Sequence, residues 1–164
     1  QYMTYDLKDK IARISGPFQT FSSPSGYVES KKIIIFDDLK NKAEAEGDVK
    51  IILSNKNIIY ADKVKANFEP SDKTLTKAVA TGHVIIVNKI KGRKSKADLA
   101  VYNSNNAQVE LIGNVVIINQ KSKISGSRGI TNLKTGVSNI VGDPKKKKRI
   151  QGIFSPVKKQ KSGN

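Results

Sequence analysis

The pattern of apolar and polar positions along the chain is organised around a recurring glycine. It returns every 29 to 35 residues, at Gly16, Gly47, Gly82, Gly113 and Gly142. Two and four residues before and after it stand mostly small or apolar side chains, with polar side chains often between them. A period of two is typical of a β-strand with one buried face. Because the glycine and its alternating flanks, here called the glycine frame, recur at a nearly constant spacing, the sequence predicts a repeat architecture.

A second marker runs in register with the glycine, because an aromatic or leucine residue recurs 31 to 34 residues apart. The markers are Tyr5, Phe36, Phe68, Tyr102 and Leu133. Polar segments with the composition of turns separate the markers from the glycine frames. These segments are residues 22–26, 54–57, 69–73, 88–92 and 119–122. Each repeat is therefore predicted to contain two strands and two turns, in an all-β chain with essentially no helix.

The length of 164 residues suits one domain. We predict a single β-domain over residues 1–156 and a basic, flexible tail over 157–164. Because Tyr5 is a marker with little chain before it, the first repeat is expected to be incomplete, unless the first strand is simply short. A chain that begins at Gln1 is expected to have been processed or truncated. No stretch reaches the roughly 18 apolar residues of a membrane-spanning helix.

Candidate catalytic chemistry is sparse. The chain has no cysteine and one histidine, His83, which follows Gly82 where other repeats have Asp48 and Asn114. These residue types tolerate left-handed or bulged backbone, so a turn or bulge is the favoured role. Asp62 and Asp98 occupy equivalent places in two repeats. With no nucleophile or phosphate-loop motif, we expect no enzyme activity, no metal site and no cofactor.

The net charge of the chain indicates possible binding partners. The chain has 30 basic and 14 acidic residues, which gives a net charge of +16. Residues 144–164 hold eight basic residues and no acidic one. Such a field attracts polyanions, including nucleic acids, anionic membrane surfaces and phosphorylated glycolipids. The alternation resumes at 150–156, where a closing strand is predicted. The basic run consists of Lys145, Lys146, Lys147, Lys148 and Arg149.

Several strings in fixed order resemble the LptA/OstA-like proteins that carry lipopolysaccharide across the bacterial periplasm. The resemblance extends from about Tyr5 to Pro156. It departs at His83, where aspartate or asparagine is usual, and at the insertion 144–148. The strings are Ala-Glu-Gly-Asp-Val-Lys-Ile (45–51), Leu-Ile-Gly-Asn-Val-Val-Ile (111–117), the Ala-Asp strings 61–64 and 97–100, the strings 123–126 and 133–136, and Arg-Ile-Gln-Gly-Ile-Phe-Ser-Pro (149–156).

The resemblance implies a twisted, incompletely closed β-jellyroll in the periplasm of a Gram-negative bacterium. Its open groove would shelter the acyl chains of lipopolysaccharide, contributing about 0.8 kcal/mol per buried methylene. Residues in constant phase are predicted to line the groove, although the same residues would form the core of any sandwich. They are Val49, Ile51, Val64, Phe68, Val84, Ile86, Tyr102, Val109, Leu111, Val115 and Ile117.

The resemblance also implies contacts with other molecules. Phosphates and acidic sugars of lipid A would lie near basic residues at the groove mouth, for which the run 145–149 is a candidate. Exposed edge strands would join homologous β-jellyroll proteins of the inner and outer membranes head to tail, or further copies of the chain. The relatives include the membrane-anchored LptC and the β-jellyroll domain of the outer-membrane component. The ending 149–156 favours the bridge protein between them.

Two further functions stay open at this point. A nucleic-acid-binding protein would explain the charge, but the aromatic residues recur as repeat markers and do not form a stacking platform, so no nucleic acid is expected. A structural β-solenoid fragment would explain the repeat without any lipid.

Overall fold

The computed structural model is an all-β structure. It describes residues 2–23, 26–53, 56–90, 92–120, 122–132, 135, 137–142 and 150–154. Within these ranges there are thirteen strands and no helix. The strands are β1 (Tyr2–Asp6), β2 (Ile11–Ser15), β3 (Gln19–Ser23), β4 (Gly26–Ser30), β5 (Ile33–Asp37), β6 (Lys42–Leu53), β7 (Asn57–Phe68), β8 (Leu75–Asn88), β9 (Arg93–Asn103), β10 (Gln108–Asn119), β11 (Ser122–Asn132), β12 (Ser138–Val141) and β13 (Gln151–Phe154).

The strands form one antiparallel sheet that does not close on itself. The main path runs β1-β2-β5-β6-β7-β8-β9-β10-β11-β12; β4 also pairs with β6 and has β3 on its other side, and β13 pairs with β11. Hairpins between consecutive strands account for the path from β5 to β12, and the predicted turn at 69–73 connects β7 to β8. The hairpin of β3 and β4 separates β2 from β5 along the chain. The closing strand predicted at 150–156 is confirmed for 151–154. The run 145–149 and the tail 157–164 lie outside the described residues.

The recurring glycine bends the long strands at their middle. At Gly82 and His83 the φ angles are +74° and +46°, and the pairing of β8 with β7 and β9 slips by one residue there. Such a bulge bends the strand and increases its twist. The same arrangement recurs in β6 and β10, where the pairs are Gly47–Asp48 and Gly113–Asn114. The bulge role expected of His83 is confirmed.

The repeated Ala-Asp strings are the partners of these bulges. Asp62 in β7 lies against Gly82, and one of its carboxylate oxygens is 2.8 Å from Nδ1 of His83. A Cβ added to Gly82 would lie only 2.9 Å from Cβ of Asp62. Asp98 in β9 lies against Gly113 in the same way, and the side-chain amide of Asn114 donates to it at 2.9 Å. The Ala-Asp and glycine strings are therefore two sides of one bend.

The line of bulges divides the sheet into two walls that fold towards each other. The first wall comprises β1, β2, β5, β12 and residues 42–46, 63–68, 75–81, 99–103, 108–112 and 128–132. The second wall comprises β3, β4, β13 and residues 49–53, 57–61, 84–88, 93–97, 115–119 and 122–126.

Near the N terminus, the strands are interrupted at the bend. On the side opposite β7, β6 pairs with two short strands, β4 and β5, which are separated at Lys31 and Lys32. In the preceding repeat, β2 and β3 are separated at 16–18. From β6 to β11, by contrast, each strand crosses the line of bulges without interruption.

The hydrophobic core lies along the bend. Val49, Val84 and Val115 follow the three bulges and are at most 1% exposed. Each occupies the same position in its repeat, so the valines lie on alternate strands, with the buried Ala61 of β7 and Ala97 of β9 between them. Leu111 and Ile117 extend this packing in β10. At the N-terminal end, the ring of Phe21 in the second wall stacks on Phe36 in the first, with centroids 6.2 Å apart.

Candidate functional site

An apolar groove runs between the two walls. It encloses about 1100 Å³, counting the part that is open to solvent. Its lining is almost entirely apolar, with Asn57 as a buried polar exception in the second wall. A groove of this kind holds a ligand by burying apolar surface, and it suits an elongated hydrocarbon better than a polar metabolite.

The two walls line the groove with side chains of different size. The first wall contributes six alanines, and the second contributes none. The first wall also has larger side chains on the groove, such as Val64 and Val109, whereas the aliphatic side chains of the second wall are all large, among them Val28, Ile51, Ile59 and Ile86. Small side chains on one wall leave space that the opposite side chains do not fill. The alanines are Ala43, Ala45, Ala66, Ala78, Ala80 and Ala100.

The residues predicted to line the groove divide into two groups. Ile51, Val64, Phe68, Ile86, Tyr102 and Val109 lie on the groove. The other five are packed in the core and are absent from the groove lining: Val49, Val84, Leu111, Val115 and Ile117. The period of two correctly places both groups on the inward face. It does not distinguish the bend, where facing side chains meet, from the open part of the groove.

Sequence reasoning missed much of the lining of the N-terminal half of the groove. Phe21, Val28 and Ile34 belong to the short strands, where the repeat is broken and its phase is hard to follow. Ala78 and Ala80 stand four and two residues before Gly82, and the sequence alone shows that they are small. The recurrence of small residues before the glycine was the signal from which an open groove could have been predicted.

The aromatic markers stand near the outer rim of the first wall. Phe36 lies in β5, Phe68 ends β7, and Tyr102 lies one residue from the end of β9. Phe36 and Phe68 pack with ring centroids 6.1 Å apart. Their regular spacing in the sequence therefore reflects a row of rings on alternate strands along the side of the groove.

Charge is distributed unequally between the segments that build the walls. The segments of the first wall contain seven basic and seven acidic residues, whereas those of the second wall contain nine basic and no acidic residues. In β4, the second wall has Glu29, which pairs with Lys50 at 3.0 Å. The segments compared are 33–46, 63–81, 99–112 and 128–132 for the first wall, and 49–61, 84–97 and 115–126 for the second.

Ion pairs neutralise the outer face of the first wall. Glu44 in β6 contacts Lys63 and Lys65 in β7, the latter at 3.5 Å. The hydrogen bond from Lys63 holds the pKa of Glu44 below its ordinary value, and the same bond raises the pKa of Lys63. Glu46 accepts from Lys32, and this bond lowers its pKa as well. Of the two walls, the second therefore contributes more of the positive field.

Both ends of the sheet present edge strands. Among the described strands, β1, β3, β12 and β13 each pair with a single neighbour. Large apolar side chains are exposed on them: Tyr2 and Met3 on β1 are 78% and 67% exposed, and Val141 on β12 and Ile153 on β13 are 54% and 67% exposed. Unpaired backbone groups beside exposed apolar side chains can accept a further strand.

Within the described ranges, no group of three or more histidine, aspartate or glutamate side chains could hold a metal ion. No helix in the part of the chain that the structure describes is long and apolar enough to span a membrane.

Fold and groove together define an open, repeat-built β-jellyroll with an apolar interior. Residues 27–137 match the family model described as LptA/(LptD N-terminal domain) LPS transport protein, and the chain belongs to this family. The resemblance indicated by the sequence and the predicted fold class are thus confirmed. Members of the family are transport proteins, and the family and fold support a periplasmic role in lipopolysaccharide transport.

A solved structure shares the fold. It is that of LptH, the LptA-homologous periplasmic component of the lipopolysaccharide transport device of Pseudomonas aeruginosa. The match has a TM-score of 0.64 at 14% identity, and it covers 93% of this chain and 100% of LptH. No curated protein sequence matches the chain.

Proposed function

We propose that this protein is a periplasmic carrier that shelters the acyl chains of lipopolysaccharide in its groove. The observation that carries the proposal is the apolar groove between the alanine-lined first wall and the aliphatic second wall. Each buried methylene contributes about 0.8 kcal/mol, so several chains together offset the cost of removing the lipid from a membrane. The family match and the fold shared with a periplasmic transport component support the same role.

The groove residues proposed to touch lipid are the six predicted residues that lie on it: Ile51, Val64, Phe68, Ile86, Tyr102 and Val109. The basic run 145–149, which lies outside the described residues, remains a predicted contact for anionic groups of the ligand.

Site-specific photo-crosslinking tests this proposal. A photoreactive amino acid at Ile86, which faces the groove, should label purified lipopolysaccharide. The same amino acid at Val87, the next residue of β8 and on the opposite face, is the matched control and should label little. Equal labelling at both positions, or none at Ile86 and Tyr102, would contradict acyl-chain binding in the groove.

We further propose that the protein joins homologous β-jellyroll proteins of the inner and outer membranes head to tail, and can join further copies of itself. The edge strands at opposite ends of the sheet support this, because an N-terminal edge of one molecule can pair with a C-terminal edge of the next. Such pairing would extend the groove from one molecule into another.

The chain lacks cysteine, so introduced thiols report on this contact without background. Met3→Cys places a thiol on β1, at one end of the sheet, and Val141→Cys places a thiol on β12, at the other end. Mixing the two variants should give crosslinked heterodimers, and each variant alone should give few. Crosslinking of each variant mainly with itself would indicate a head-to-head or tail-to-tail contact and overturn the proposal.

A further inference from the structure

The outer face of the second wall has alternating aliphatic and lysine side chains. A row of five residues runs straight across β8, β9, β10, β11 and β13, because each residue pairs in register with the next. Ile86, which precedes the first member of the row in β8, lines the groove, so the row itself lies on the opposite face of the strands. Since neighbouring strands are about 4.8 Å apart, the row is about 19 Å long. Its members are Val87, Lys94, Ile118, Lys123 and Ile153.

A shorter row lies beside the first, closer to the line of bulges. It consists of Ile85, Lys96 and Val116, which also pair in register. The aliphatic side chains of both rows are half-buried within the sheet, except Ile153, which is 67% exposed, and all three lysines are exposed. In the turn after β8, Ile90 is 73% exposed at the end of the same strands. The solvent face of an antiparallel sheet is usually polar, so this mixture of lysine and aliphatic side chains needs an explanation.

The three lysines of these rows have no ion-pair partner in the described part of the chain. Segments 84–97 and 115–126 contain no acidic residue. The next acidic residue along β9 is Asp98, which lies at the bulge and accepts from the side-chain amide of Asn114. On the outer face of the first wall, by contrast, Lys63 is paired with Glu44. The outer face of the second wall therefore presents positive charge without a matching negative charge.

This combination of side chains matches the surface of an anionic bilayer. Lysine can lay its methylene stem over apolar surface while its ammonium group stays among lipid phosphates, and each lysine near an anionic lipid surface adds to the attraction. The aliphatic side chains between the lysines can enter the boundary between headgroups and acyl chains. The core of a protein–protein interface, in contrast, is usually poor in lysine and rich in aromatic residues and arginine. Single-stranded nucleic acids are bound by stacking on aromatic side chains, and neither row contains one.

We propose that the outer face of the second wall, from β8 to β11, binds the surface of an anionic phospholipid bilayer. The groove lies on the other face of the same strands, so the contact leaves the groove open for cargo. The proposal goes beyond the function proposed above, because it concerns attachment of the protein to a membrane and not the binding of lipopolysaccharide.

Co-sedimentation with vesicles tests this contact. The probes are phosphatidylcholine vesicles with and without phosphatidylglycerol, at fixed ionic strength and without lipopolysaccharide. The wild-type protein should bind only the vesicles that contain phosphatidylglycerol. Because each lysine near such a surface contributes about fivefold in affinity, the double variant Lys94→Gln/Lys123→Gln should bind these vesicles about 25-fold more weakly.

The matched control is the double variant Lys42→Gln/Lys77→Gln. Lys42 in β6 and Lys77 in β8 are exposed on the outer face of the first wall, beside the groove residues Ala43 and Ala78, and their strands are also two apart in the sheet. This variant loses the same net charge but should bind less than about threefold more weakly, since salt screens charges that lie far from the bilayer. Equal losses in the two double variants would show that net charge alone attracts the vesicles and would overturn the assignment to the second wall.

Tryptophan fluorescence locates the contact independently of charge. The chain has no tryptophan, so a single one introduced by Ile118→Trp reports on the outer face of the second wall. With anionic vesicles its emission should move to shorter wavelength, and brominated phospholipid should quench it. Val79→Trp, on the outer face of the first wall, is the control and should change little. Ile86→Trp reports on the groove.

The outcomes separate this proposal from the proposed function. Quenching of Ile118→Trp but not of Ile86→Trp would support contact with the bilayer, whether or not lipopolysaccharide binds in the groove. Quenching of Ile86→Trp alone would show that phospholipid enters the groove, and it would overturn the surface contact. Failure of the wild-type protein to bind anionic vesicles would also overturn the proposal and would favour a protein with an acidic surface as the partner of this face.

Discussion

The two walls of the groove are built from the same repeat but differ in both lining and charge. The first wall is lined by six alanines, and its segments balance seven basic residues with seven acidic ones. The second wall presents large aliphatic side chains to the groove, and its segments from 49 to 126 have nine basic residues and no acidic one. Both walls therefore supply apolar surface, but the alanines leave open space only beside the first wall, and the excess of basic residues lies on the second.

This difference shows how a repeat can be regular in backbone and asymmetric in chemistry. The bulges fix where each strand bends, so each repeat contributes half of its length to each wall. In β6, β8 and β10, residues before the glycine therefore belong to the first wall and residues after it to the second. Ala80 and Val84 lie on either side of the same bulge and illustrate the contrast, because one lines the groove and the other fills the bend.

The largest effect should come from removing the bend that separates the walls. Gly82→Ala places a Cβ near Asp62 at a φ of +74°, so we expect the free energy of unfolding to fall by about 2–3 kcal/mol. Urea denaturation measures the change. Gly92→Ala is the matched control, since its φ is +58° but its nearest new neighbour is the flexible end of Gln120 at 3.3 Å.

The control should cost only about 1 kcal/mol, from the left-handed backbone alone. If both variants lost the same stability, the close contact between Gly82 and Asp62 would contribute nothing, and the bend would not depend on it.

A smaller effect should follow from giving the first wall the side-chain size of the second. Ala78→Leu adds bulk to the groove, so we expect about a tenfold loss of affinity for lipopolysaccharide because the acyl chains lose space. Val79→Leu adds bulk on the opposite face of the same strand and should change affinity little. Isothermal titration in detergent compares them, and an unchanged affinity for Ala78→Leu would show that the alanines do not define the binding space.

The smallest effect concerns charge. Glu44→Gln should lower the free energy of unfolding by about 0.5 kcal/mol at pH 7, because the ion pair with Lys63 is partly exposed. The pKa of Glu44 is lower when the protein is folded, so the unfolded chain binds more protons as pH falls below the ordinary value of 4.5. The stabilisation is complete above that value and is lost as pH falls through the folded pKa.

The stabilities of wild type and Glu44→Gln should therefore converge as pH falls below the folded pKa of Glu44. Lys94→Gln on the second wall serves as the comparison and should change stability by less than about 0.3 kcal/mol across the same titration. A difference between Glu44→Gln and wild type that stays constant throughout an acid titration would assign the effect to packing and not to charge.

The sequence was sufficient to predict the fold where local rules decide it. The glycine frames predicted strands with bends, and the role of His83 followed from its equivalence to Asp48 and Asn114. The groove was harder to predict. The alternation within one strand shows which side chains face inward, but whether those side chains line an open groove depends on the distance between the two walls. Val115 and Ile86 share the same phase, and only the distance between facing strands makes one a core residue and the other a groove residue.

The hydrogen bond from Arg93 in β9 to Ser138 in β12 lay beyond sequence reasoning for the same reason. The two residues are 45 positions apart and belong to different walls.

The interrupted strands near the N terminus have a mechanical consequence. From β6 to β11, each strand continues across the bend without interruption. A change in the angle between the walls must therefore distort many hydrogen-bonded pairs there. Between β2 and β5, the two walls are joined by short connections such as Lys31 and Lys32, and fewer continuous strands cross the bend there. The backbone N–H of Lys31 bonds to the carbonyl oxygen of Gly47 in β6, so β6 still ties this connection to the bend. We therefore expect the angle between the walls to change more easily at the N-terminal end of the sheet than between β6 and β11.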